Sequence, residues 1–84
     1  MYELRISQKA LKALKKAPPE IASRIRERLN ELAENPFKAP NVKKLTKHPG
    51  FRLRVGDWRI LFMVEERILI VQVIMIGHRK DVYR

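Results

Sequence analysis

Eighty-four residues suffice for one domain with a single modest core, and a chain without cysteine holds neither a disulfide nor a thiolate metal site. Nineteen Lys and Arg against nine Asp and Glu give a formal charge of +10, which on so short a chain points to a polyanionic partner such as nucleic acid, or to an acidic protein. The longest apolar run, residues 68–76 broken by Gln72, falls far short of the roughly 20 residues of a membrane helix. The charged start Met1-Tyr2-Glu3-Leu4-Arg5 predicts no signal peptide, so a soluble cytoplasmic protein is expected, with no small-molecule cofactor and no metal.

Residues 2–6 alternate apolar and polar side chains, the period of a half-buried strand. Ser7 is placed to cap a helix over residues 8–16, where Ala10, Leu11 and Leu14 recur at helical spacing among Lys9, Lys12, Lys15 and Lys16. Pro18-Pro19 ends that helix. A longer one is predicted over 19–35, with Ile21, Ile25, Leu29 and Leu32 along one face, until Asn35-Pro36 stops it. The two form an αα-hairpin. Residues 37–50 read as a basic loop carrying Lys43, Lys44, Lys47 and His48 between Pro40 and Pro49. Three antiparallel strands are expected next, over 51–55, 58–64 and 67–76, with Glu65-Glu66 as the second tight turn. The last is apolar on both faces, which predicts a central, covered strand. The order β-α-α-β-β-β is an α+β fold, a small and mostly antiparallel sheet with an N-terminal helical hairpin on one face, in a single domain over 1–84.

The first of these hairpins concentrates charge. If Gly56-Asp57 is a two-residue loop, with Gly supplying the positive φ of a type II′ turn, Val55 pairs with Trp58 and Arg54 lies opposite Arg59. Alternation then puts Arg52, Arg54 and Arg59 on one face, while Phe51, Leu53, Val55, Trp58, Ile60 and Phe62 take the other. Like charges directly opposite cost stability, and an anion that they bind is the best explanation for keeping them; the guanidinium fork suits a phosphate. The arginine face also holds Leu61 and Met63, either covered by twist and the first strand or left as a patch for a partner protein.

Arg-Leu-Arg-Val-Gly-Asp-Trp-Arg-Ile-Leu-Phe at 52–62, followed by Ile-Gly-His-Arg-Lys-Asp-Val-Tyr at 76–83, resembles the RelE-type toxins of the RelE/ParE superfamily, and the element order agrees. The resemblance covers nearly the whole chain. It implies a microbial-ribonuclease-like fold and a ribosome-dependent messenger RNA endonuclease, acting without metal in the ribosomal A site. It also implies a cognate acidic, RelB-like antitoxin that holds the toxin inactive. Carried over from the family, the active-site residues are Arg52, Arg54, Arg59, Arg79 and Tyr83.

Cleavage of RNA through its own 2′-hydroxyl needs a proton acceptor, stabilisation of the extra phosphorane charge, and a proton for the leaving 5′-oxygen. Arginine, with a pKa above about 12, suits the second task. Arg54, Arg59 and Arg79 are therefore assigned to clamping the phosphate and Arg52 to positioning RNA, although each could instead be a surface charge pairing with a carboxylate. Where some family members carry lysines this chain has Arg52 and Arg54, so the proton acceptor stays unassigned. Tyr83 could stack on a base, relay a proton or pack back onto the sheet. His78 has the right chemistry for an acid or base, but alternation sets it and Arg79 on opposite sides. Lys43, Lys44, Lys47 and Lys80 are candidate contacts to RNA or the ribosome, and the loop lysines read equally as solvated charge.

Two other functions fit the same residues. A ParE-like protein would inhibit DNA gyrase by binding alone, on the same fold, and the ending at Arg79 to Tyr83 favours the nuclease. A catalytically degenerate RNA-binding relative would need exposed aromatic platforms, for which only Tyr2, Phe37 and Tyr83 are available.

Overall fold

The computed structural model describes residues 1–82, the last two as backbone. Eight elements follow in order: β1 (Glu3–Ile6), α1 (Gln8–Lys16), α2 (Pro19–Glu34), β2 (Val42–Lys44), β3 (Phe51–Val55), β4 (Trp58–Glu65), β5 (Ile70–His78) and the short α3 (Arg79–Val82). The five strands form one sheet in the order β1-β5-β4-β3-β2, in which β1 runs parallel to β5 and every other pair is antiparallel.

The helical hairpin forms where the sequence predicts. The Ser7 Oγ accepts from the Ala10 N–H at 3.1 Å and caps α1, while its hydroxyl donates to the Ile74 carbonyl at 2.7 Å, tying the start of the helix to β5. Pro19 opens α2, a position where its missing N–H costs nothing. Ala10, Leu14, Ala22, Ile25, Leu29 and Leu32 are buried from the helices against Leu53, Val55, Ile60, Phe62, Val71, Val73 and Ile76 of the sheet, so the core lies between one sheet face and the helix pair. Ile21, expected on the inner stripe of α2, is only half-buried, and Ala22 takes its place. Among the described residues no helix is long and apolar enough to cross a membrane.

Three stretches differ from expectation. The basic loop contains β2, which pairs with β3 through Val42 opposite Leu53 and Lys43 opposite Arg52. A three-residue edge strand with two lysines carries no alternation that a sequence pattern can register. The turn is not Glu65-Glu66: Glu65 still belongs to β4, and residues 66–69 form the turn, with Leu69 in the left-handed region at φ 53. Ile68 and Leu69, which read as strand, are 65% and 48% exposed at its tip. The strand β5 is therefore shifted, starting at Ile70 and running to His78 because the pairs Arg59–Gly77 and Trp58–His78 continue the ladder. It is interior, as expected, but not covered on both faces. A bulge at Ile74, which lies between Leu61–Met75 and Phe62–Val73 without a partner on β4, moves the inward phase from Val71 and Val73 to Ile76. The apolar run on β5 is one inward stripe interrupted by an extra residue, and Ile74 itself is 41% exposed.

Candidate nucleic-acid interface

The hairpin between β3 and β4 turns on Gly56 at φ 60, and Asp57 is not among the residues with positive φ, as a type II′ loop requires. The register is the expected one: Val55 faces Trp58 and Arg54 faces Arg59. Cross-strand pairs share a face, so Lys43, Arg52 and Leu61 form one row on the side away from the helices, and Arg54, Arg59 and Gly77 form the next. Gly77 puts no side chain beside Arg59, and the row stays open at that end.

Asn41, Val42, Lys43, Arg52, Arg54 and Arg59 line a cavity of about 370 Å³ on this face. Four of the six are cationic and none is acidic. A second cavity of about 290 Å³ is lined by Lys43, Lys44, Leu45, Thr46 and Arg52, so the two share Lys43 and Arg52 and continue one basic track. Arg54 is exposed and forms no salt bridge among the described residues. The Arg59 Nη1 donates to the Gly56 carbonyl at 2.7 Å and to the Trp58 carbonyl at 3.0 Å, so this guanidinium also fastens the turn from which it projects.

The hairpin tip reaches the C-terminal helix as well. The Arg79 backbone N–H donates to the Asp57 carbonyl at 2.7 Å, and its Nε lies 4.0 Å from the Asp57 Oδ1. The turn thus holds Arg59 on one side and Arg79 on the other. His78 lies elsewhere. It pairs with Trp58 across the ladder, its ring meets the Trp58 ring edge-on at 5.9 Å, and its Nδ1 accepts from the Lys80 N–H at 3.3 Å. That register sets it on the helix side, away from Arg54 and Arg59. Lys47 and Lys80 are exposed and line neither cavity. Tyr83 lies outside the described residues.

Asn41 went unnoticed in the sequence. It stands in the left-handed region at φ 63, its carbonyl accepts from the Arg54 N–H at 3.0 Å, and it lines the larger cavity. An Asn between Pro40 and a basic pair signals such a turn, but only once β2 is known to follow it.

The cationic side chains gathered here have the chemistry to grip a phosphate, and the Asn41 amide lines the same cavity. The model of the ParE toxin of type II toxin–antitoxin systems matches residues 4–83. Toxin RelG of Mycobacterium tuberculosis is 26% identical over 84 residues, covering 99% of this chain and 97% of that protein. Among solved structures, the toxin chain of a RelBE toxin–antitoxin complex from Mycobacterium tuberculosis superposes with a TM-score of 0.82 at 26% identity, over 93% of this chain and 98% of the other. The intact RelBE toxin–antitoxin complex of E. coli gives 0.80 at 25% identity, over 93% and 96%.

Proposed function

This chain belongs to the ParE-type toxins of type II toxin–antitoxin systems, within the RelE/ParE superfamily, and on that premise we propose that it stops translation by cutting messenger RNA in the ribosomal A site. The observation that carries this reading is the Arg54–Arg59 pair facing each other over a cavity with a cationic and no acidic lining. A bound anion offsets the repulsion between two like charges at adjacent sheet positions, and in this reading that anion is the scissile phosphate.

In this mechanism the 2′-oxygen of one nucleotide loses its proton and attacks the neighbouring phosphorus. The bond to the 5′-oxygen breaks, and that oxygen takes up a proton, leaving a cyclic phosphate and a free 5′-hydroxyl. Arg54 and Arg59 hold the non-bridging oxygens as charge builds on them, with Arg79 closing from the hairpin tip and Arg52 and Lys43 gripping the flanking phosphates. The guanidinium groups so supply the charge stabilisation that a metal would supply elsewhere. Several of the similar structures are complexes of RelE with RelB. By the same logic an acidic antitoxin neutralises this track and keeps the toxin silent.

Arg54→Ala is the cleanest test, because Arg59 also fastens the turn. Primer extension on messenger RNA with translating ribosomes should show cuts at decoding positions, reduced by about a hundredfold or more in the variant, the typical cost of one transition-state donor. Cuts of equal intensity in both proteins would refute the assignment. The family's ParE name favours a second reading, inhibition of DNA gyrase. A supercoiling assay decides between them: inhibition there with intact messenger RNA would replace the nuclease.

A further inference from the structure

Beside its four cationic side chains the larger cavity holds one amide, that of Asn41. The Asn41 carbonyl accepts from the Arg54 N–H one residue beyond the Val42–Leu53 pair, so the ladder between β2 and β3 continues one step past the strand. Asn41 therefore stands one strand spacing, about 4.8 Å, from Arg54, at the end of the row that Arg54 and Arg59 form. The left-handed φ of 63 favours Asn and would account for the residue type alone. The side chain argues for more. Asn35 spends its Oδ1 on its own turn, accepting from the Phe37 N–H at 3.1 Å. The exposed Asn41 amide forms no hydrogen bond among the described residues, which leaves its donor and its acceptor to a ligand in the cavity.

We propose that Asn41 reads the base beside the phosphate held by Arg54 and Arg59. It selects adenine and cytosine, which carry an amino group at N6 or N4, over guanine and uracil, which carry a keto oxygen in that place. The inference rests on the function proposed above for RNA as the ligand, and adds to it the bases that the site prefers. Donors and acceptors decide the selection. Lysine and arginine carry donors only, so Lys43, Arg52, Arg54 and Arg59 serve a keto oxygen or a ring nitrogen but leave the N6 or N4 amino group unpaired. Among the described residues that line the cavity, the Asn41 Oδ1 is the one side-chain acceptor. Its amide meets adenine with two bonds at once, Oδ1 accepting from the N6 amino group while Nδ2 donates to a ring nitrogen, and meets cytosine likewise through N4 and N3. Guanine and uracil depend on it less, because the cations already reach their O6 and O4.

The test is fluorescence anisotropy of the whole protein with 2′-O-methyl uridine heptamers, whose blocked 2′-oxygens prevent cleavage, carrying adenosine, inosine, cytidine or uridine at the centre. Inosine has a keto oxygen where adenosine has its amino group, and uridine differs from cytidine in the same way. The parent protein should prefer adenosine to inosine, and cytidine to uridine, by about fivefold or more, the lower end of what one two-bond base contact discriminates. Asn41→Gly keeps the left-handed backbone without the amide and should bind all four strands within about twofold of one another. Asn41→Asp also tolerates that backbone and keeps the acceptor, so its charge should weaken every strand while the preference for the amino bases persists. Lys43→Ala, which removes a phosphate contact, should weaken all four alike. A parent protein indifferent to the central base would overturn the proposal, and so would a preference that survives in Asn41→Gly. Loss of the preference in Asn41→Asp would overturn the role of the acceptor and leave Asn41 as a turn residue. Because the strands are not cut, a protein without nuclease activity can still show the preference, and an active nuclease can still lack it.

Discussion

Arg54 and Arg59 stand side by side on adjacent strands, where two like charges destabilise a sheet by several tenths of a kcal/mol. The pair thus gives a signature that separates function from structure. Replacing Arg54 by Ala removes an exposed side chain with no salt bridge among the described residues and relieves the repulsion. We expect Arg54→Ala to be as stable as the parent, or more stable by about 0.5 kcal/mol in urea melts, while cleavage collapses. A structural ion-pair residue would show the reverse, with lost stability and retained activity. The glycines flanking β3 give a second contrast. Gly56 lies at φ 60 with nothing within 4 Å of where a Cβ would be, so Gly56→Ala costs backbone strain alone, about 1 kcal/mol. Gly50 lies at φ 109, and a Cβ there would sit 2.8 Å from the Phe62 carbonyl oxygen, a backbone atom that cannot turn aside. Gly50→Ala should therefore cost more than Gly56→Ala by about 1 to 3 kcal/mol and loosen the start of β3, which urea melts of the two variants would show directly.

At the scale of elements, legibility followed the length of the pattern. The helical hairpin could be read because Ala10, Leu14, Ile25, Leu29 and Leu32 repeat over several turns between unambiguous proline stops, and β3 with β4 because Gly56 fixes a two-residue loop and with it the whole register. From that one turn the sequence placed three of the cationic residues of the main cavity, Arg52, Arg54 and Arg59. Lys43 was identified as a loop residue, and its partnership with Arg52 needed β2, which is too short to announce itself. Alternation sets His78 and Arg79 on opposite sides, and the pairing of His78 with Trp58 puts it on the helix side of the sheet. The bulge at Ile74 disguised a single inward stripe as a two-faced apolar run, since one extra residue inverts a period of two. Ser7 joins these elements, capping α1 and bonding the bulge carbonyl at once. Ser7→Ala should cost about 1 to 2 kcal/mol, more than an ordinary cap, because it frees the Ala10 N–H and the Ile74 carbonyl together. Hydrogen exchange would locate the loss in both α1 and the middle of β5, whereas a cap acting alone would affect only the first turn of α1.

For the molecule as a whole, the excess of positive charge has direction. The helices bury their apolar stripe against one sheet face, and the opposite face carries the basic track from Lys43 and Arg52 to Arg54 and Arg59. A charge of +10 spread evenly would attract any polyanion and give a salt dependence that no single residue dominates. A track that grips consecutive phosphates behaves differently, since each neutralised phosphate on a single strand contributes about −0.7 to the slope of log K against log salt. If Lys43, Arg52, Arg54 and Arg59 each hold one phosphate, RNA bound to the isolated protein should show a slope of about −3. Lys43→Ala should then bring it closer to zero by about 0.7, whereas Lys12→Ala, on the exposed side of α1, should weaken binding slightly and leave the slope unchanged. Fluorescence anisotropy across a salt series measures both. Equal slope changes for the two lysines would mean that RNA is held by diffuse charge, and the sheet face would lose its claim to be the track along which RNA approaches Arg54 and Arg59.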